Sequence, residues 1–181
     1  ETAECHSMSM EFLTAPYHAL FFGDAVKKYE LSHCEDSVIF IPYGCMVDEF
    51  QHKMYENPEL SPEQRNEFWL ALEKKSRPYI DFDGLPFYSR GAGWQRQLHI
   101  YMYPLYYIDY CMAQTVAFQF WFASLENRAA AWQNYLGFVD KAGTETFRDL
   151  VKGAGLLLPY EAGTMRKIGE KLSNWIENNQ I

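Results

Sequence analysis

One histidine and five tyrosines stand within a dozen residues, from His99 to Tyr110 (HIYMYPLYYIDY). Imidazole and phenol are side chains that donate a hydrogen bond to an oxygen on which charge develops, so the cluster could stabilise a polarised carbonyl. At helical spacing Tyr103, Tyr107, Tyr110 and Gln114 form one stripe, whereas Ile108, Met112, Val116 and Phe120 fall on other faces and read as core. A tyrosine is mostly hydrocarbon with one hydroxyl, so the same stripe also suits an amphipathic packing face. Periodicity alone leaves both readings open.

A second group with chemical potential lies near the start of the chain. Glu4, Ser7 and Glu11 share one helical face, either as solvated surface or as a site flanked by methionine and phenylalanine. With a rise of ~1.5 Å per residue the backbones of Glu4 and Glu11 lie about 10 Å apart, so at most one of them binds a given small cation directly. The other, with Ser7, would orient or support it. The histidines at 6, 18, 33, 52 and 99 contain no H-E-x-x-H spacing, the arrangement that puts two imidazoles on one helical face for zinc. Asp48 and His52, four apart, suit an ordinary helix-face hydrogen bond better than a metal. The four cysteines form no C-x-x-C pair and no G-x-S-x-G is present, so neither a thiol pair nor a serine nucleophile stands out.

The elements that must position these groups read as helices throughout. Good helix formers run from Glu1 to Leu13, and Thr14 with Pro16 restarts the chain for a helix over Tyr17 to Leu31. Between Ser37 and Asn57 the spacing of Met46, Val47, Phe50 and Met54 is helical, with Pro42 and Gly44 marking an entry or kink. Ser61, Pro62 and Gln64 form a capping box that opens a helix to about Lys75. Tyr79 to Gly93 is an irregular loop rich in turn residues, a kind of segment that often carries function, and Gly91 and Gly93 would let it move over a substrate. Pro104 should occupy the first turn of the helix that carries the tyrosines. Asn127 to Val139, Thr146 to Lys152 and Glu161 to Glu177 complete an all-α, multi-helix chain with no clear linker, read as a single domain over residues 1–181.

Composition narrows the function. The 181 residues are 48% hydrophobic and 17% aromatic, with a formal charge of -8. The basic pairs Lys27–Lys28 and Lys74–Lys75 are isolated, so no stripe neutralises a phosphate backbone and no nucleic-acid partner is expected. Apolar runs such as Val116 to Ala123 fall far short of the ~18 residues of a membrane span, and no signal peptide is visible. Cysteines spaced in this way read as reduced thiols in a cytoplasmic setting. The chain opens at Glu1, without an initiator methionine and within a helix, which is expected of a fragment or a processed chain.

Four motifs together carry a family likeness. ECHSMSMEFL (Glu4 to Leu13), VDEFQHKMYENPE (Val47 to Glu59), HIYMYPLYYIDYCMAQ (His99 to Gln114) and AGLLLPYEAG (Ala154 to Gly163) resemble oligoendopeptidase F, one of the thimet-oligopeptidase-like zinc metallopeptidases. The resemblance implies part of a larger, mostly helical zincin-type fold with a deep channel, and cleavage of short oligopeptides. It implies that Glu4, in the E-x-x-S-x-x-x-E pattern, is a zinc ligand with Ser7 and Glu11 in support. It also implies that His99, Tyr107 and Tyr110 hold substrate and the developing oxyanion, with Tyr103 and Tyr106 as further candidates for substrate contact. The chain has no H-E-x-x-H, so two metal ligands and the general base are expected on an upstream segment of the same enzyme. This chain would then be the C-terminal portion of the catalytic domain, without activity alone. A non-catalytic, all-α peptide-binding or interaction module derived from such a peptidase is the alternative.

Overall fold

Strong local start signals set several of the helices. Ser61 accepts from the Gln64 backbone while the Gln64 side chain accepts from the Ser61 backbone, the reciprocal pair that opens α4 (Pro62–Ser76). Asn127 and Thr146 accept from backbone N–H groups three residues on and open α8 (Arg128–Asp140) and α9 (Phe147–Gly153). The computed structural model describes residues 2–181, which are all-α with no strand among them. The remaining helices are α1 (Thr2–Leu13), α2 (Ala19–Phe22), α3 (Val26–Glu56), α5 (Pro86–Ser89), α6 (Leu98–Met102), α7 (Tyr107–Glu126) and α10 (Thr164–Asn178).

Two expected boundaries differ. The helix foreseen from Tyr17 is broken at Gly23, whose φ of 51° lies in the left-handed region, into short turns on either side. In its place α3 runs unbroken for 31 residues, with Pro42 in its interior. A proline there forfeits the bond to the carbonyl four residues back, at a cost of ~3 kcal/mol. Burial of Leu31, Cys34, Met46, Val47 and Phe50 along the same helix offsets it.

Contacts divide the chain into two compact units: residues up to Val38 together with Met112–Ile181, and Ile39–Cys111. The first unit has a core that includes Leu13, Val116, Phe120, Phe138 and Val151. Phe12 stacks on Trp121 at 4.6 Å, and Trp121 meets the edge of Trp175 at 4.9 Å. The side-chain amide of Gln119 both donates to and accepts from the backbone of Leu157, at 2.9 and 2.8 Å, which fastens the segment between α9 and α10. The second unit packs Met46, Val47 and Phe50 of α3 against Trp69 and Leu72 of α4 and Tyr107.

The segment expected to be a mobile loop is partly built into the second unit. Gly91 and Gly93 are buried, and a Cβ on Gly91 would lie 2.0 Å from the Asn66 carbonyl oxygen of α4, with φ at 78°. One on Gly93 would lie 2.8 Å from Trp69 Nε1. Close approach to α4 therefore requires glycine at both positions. Gly91→Ala combines a strained φ with overlap on backbone and should lower stability by about 3 kcal/mol in urea denaturation. Gly84→Ala, with φ at 78° but open space around it, should cost about 1 kcal/mol.

Candidate active site

In the second unit the chain turns sharply before the tyrosine-bearing helix. Pro104 precedes Leu105, which has a φ of 59°, and the Tyr106 backbone donates to the Tyr103 carbonyl at 3.2 Å. Proline followed by a positive φ is the pattern of a type II turn, here with leucine where glycine is usual. As a result α7 begins at Tyr107 rather than at Pro104, and Tyr103 lies outside the helix. The expected stripe is correspondingly split. Tyr107 lies in the hydrophobic cluster at 9% exposure, Tyr106 and Tyr110 are half-buried, and Tyr103 is exposed.

His99, in α6, is brought onto these rings. Its imidazole meets Tyr107 edge-on at 5.0 Å and Tyr110 at 5.7 Å, with Tyr103 at 5.8 Å. Nε2 of His99 lies 3.4 Å from the Tyr110 hydroxyl. Burial, reinforced by Tyr43, Cys111 and Tyr110, pushes the Tyr107 phenol well above the usual range, so it stays protonated. The arrangement is a half-buried patch of O–H and N–H groups in aromatic surroundings, suited to meeting an oxygen acceptor.

A polar chain stands behind His99 that the sequence motifs did not single out. Gln97 Nε2 lies 2.9 Å from His99 Nδ1, and the Tyr43 hydroxyl donates to Gln97 Oε1 at 2.6 Å. Arg77 lies over the Tyr43 ring at 4.7 Å and is gripped by Glu73 through two bonds of 2.8 and 2.6 Å. Trp69 also donates to Glu73, at 3.0 Å. The residues come from α3, α4 and the turn before α6, too far apart in sequence for spacing to reveal them. The one local signal is a polar amide two residues before the histidine.

In the first unit α1 carries the carboxylates. Ser7 Oγ donates to Glu4 Oε2 at 3.0 Å and lies 3.1 Å from the Glu4 carbonyl, so it holds one carboxylate oxygen. Glu11 pairs instead with His33 of α3, Oε2 to Nε2 at 2.9 Å, while the His33 ring packs on Phe12 at 4.6 Å. The two glutamates thus have different partners. A catalytic zinc takes three protein ligands and leaves a position open. Among the described residues no group of three or more His, Cys, Asp or Glu side chains is placed to hold a metal ion. Glu4 offers one carboxylate, which by itself does not make a zinc site. Asp48 and His52 form the i,i+4 contact expected of them, at 3.4 Å.

Comparison with solved structures supplies relatives. The chain superposes on Pz peptidase A, solved with an inhibitor, with a TM-score of 0.95 and 45% identity over 98% of its length. A structure assigned as oligoendopeptidase F, from crystals grown by microfluidic seeding, gives 0.95 and 44% over 97%. The chain is similar to the C-terminal region of oligoendopeptidase F. Another protein assigned as oligoendopeptidase F, from Bacillus anthracis str. Ames, gives 0.82 and 38% over 98%. The chain spans 32%, 31% and 28% of these three proteins, respectively, and matches their C-terminal region. No family model matches it, and no curated protein does. Among the described residues no helix is long and apolar enough to cross a membrane.

One group on α1 links this region to pH. The His6 ring meets Tyr135 and Phe138 edge-on at 5.9 and 5.6 Å, and Nε2 is buried without a hydrogen-bond partner. Burial holds its imidazole below the usual range. The unfolded chain therefore takes up this proton first, near pH ~6.5. The contribution of His6 is fully present above that pH and is lost as pH falls from there through the lower native value. Urea midpoints measured between pH 5 and 7 should show that decline, and His6→Phe should flatten its share.

Proposed function

We propose that this chain is the C-terminal portion of the catalytic domain of a zinc-dependent endopeptidase that hydrolyses short oligopeptides in the cytoplasm. The observation that carries the reading is the His99–Tyr110 cluster, set in a chain 38–45% identical to oligoendopeptidase F and Pz peptidase structures. The four cysteines contain no C-x-x-C pair, in keeping with a reducing compartment.

In the first unit Glu4 is the carboxylate offered to zinc, Ser7 steadies it, and Glu11 ties α1 to α3 through His33. The remaining ligands would be two histidines of an H-E-x-x-H helix on an upstream segment, whose glutamate is the general base. The zinc, when bound, supplies Lewis acidity to the scissile carbonyl and lowers the pKa of a water. In the second unit His99 and Tyr110 donate to the oxygen on which charge develops, and Tyr107 completes the wall behind them. Tyr103 and Tyr106 lie beside His99 and Tyr110 and meet the peptide. Gly91 and Gly93 support the substrate side through the close seat of their segment on α4.

The complete enzyme, in which this chain is joined to its H-E-x-x-H segment, tests the roles. Tyr110→Phe should lower kcat on a quenched oligopeptide about a hundredfold or more, the usual cost of one oxyanion donor. An unchanged rate would remove Tyr110 from the donors. Glu4→Gln should release zinc to a weak chelator that leaves the wild type loaded, read by metal content as well as by turnover; full retention would remove Glu4 from the ligands. The 181-residue chain alone should not cleave the same peptide, and chelator-sensitive cleavage by it would overturn the division of the site.

A further inference from the structure

We infer that Gln97, oriented by Tyr43, fixes the tautomer of the neutral His99 imidazole with its proton on Nε2, which makes Gln97 a positioning residue and His99 a donor through Nε2. The inference deepens the proposed role of His99 and rests on it for its catalytic meaning.

The argument begins with what each atom can do. The amide nitrogen of a glutamine only donates, so the ring nitrogen facing it must accept. Gln97 Nε2 faces His99 Nδ1 at 2.9 Å, so Nδ1 presents its lone pair and the single proton of the neutral ring sits on Nε2. That N–H points to the side of the ring where the Tyr110 hydroxyl lies, 3.4 Å away. A proton on Nδ1 would set N–H against N–H.

The lock depends on which way the Gln97 amide is turned, and the contact with Tyr43 points to one orientation. The Tyr43 oxygen is 2.6 Å from Gln97 Oε1, a separation within the O–H···O range and shorter than the ~2.7–3.2 Å of N–H···O bonds. Tyr43 is held in place, because the Arg77 guanidinium lies over its ring and Glu73, 3% exposed, fixes Arg77 through two bonds. Burial also keeps the Tyr43 phenol protonated, so it remains a donor. Lastly, Gln97 occupies the N-cap position of α6 and yet makes no side-chain capping bond. Its amide serves the histidine and not the helix.

Nitrogen-15 spectra of the histidines in the 181-residue chain test the lock directly. At pH about 9, above the ordinary histidine range, His99 should show a pyridine-type Nδ1 and a pyrrole-type Nε2. The reverse pattern, or an even mixture, would overturn the inference without any variant. In Q97E the carboxylate can only accept, so the proton should move to Nδ1. In Tyr43→Phe the amide is free to turn and the two tautomers should mix. Unchanged spectra in both variants would likewise overturn it.

Kinetics in the complete enzyme separate the lock from the reading beneath it. Q97E should lower kcat about a hundredfold or more with a smaller change in KM, as for loss of an oxyanion donor. If the tautomer switches as described while kcat holds, the lock stands and the catalytic role of His99 falls. If the tautomer in the wild type is the other one, the lock falls whatever the rate.

Discussion

A carboxylate removed from water has to be paired, and Glu73 is such a group. At 3% exposure it is satisfied by the Arg77 guanidinium and the Trp69 indole. An unpaired charge there would cost several kcal/mol. The pairing decides more than stability, because Arg77 held in this way forms the support on which the Tyr43 ring lies. Tyr43 then turns Gln97, and Gln97 meets His99. These side chains of the second unit are ordered from its buried charge outward, each by contact with the one beneath.

The first unit presents its carboxylates by a different device. α1 is anchored by apolar side chains: Cys5, Phe12 and Leu13 are buried, and Phe12 stacks on Trp121. That leaves the face of Glu4, Ser7 and Glu11 to polar partners, with Ser7 on one glutamate and His33 on the other. An amphipathic helix fixed by its apolar face holds polar groups at a defined height without spending them on packing. Glu11 is consequently tied to α3, and Glu4 is oriented within α1 itself.

Much of this could be read along the chain, and the places where it could not are instructive. The capping box at Ser61, the caps at Asn127 and Thr146 and the helix over residues 2–13 follow from interactions within four residues. The motifs around Glu4 and His99 likewise pointed to the candidate groups, since each motif is one short stretch of chain. Pro104 misled because the same residue opens a helix or occupies the second position of a turn. The positive φ of Leu105, at a residue type that resists it, marks the turn. Gly91 and Gly93 resembled hinge residues, whereas their proximity to Asn66 and Trp69 makes them packing residues.

By itself the sequence determined an all-α chain and the helix starts at Ser61, Asn127 and Thr146. Each of these depends on composition or on bonds between near neighbours. Only the tertiary structure decided that Pro42 would lie inside a continuous helix, that Tyr107 would join the core while Tyr110 stayed half-buried, and that Tyr43, Gln97 and Arg77 would stand behind the histidine. The reason is physical: burial and long-range hydrogen bonding couple residues separated by tens of positions. Local propensity carries no information about which of those distant partners will meet.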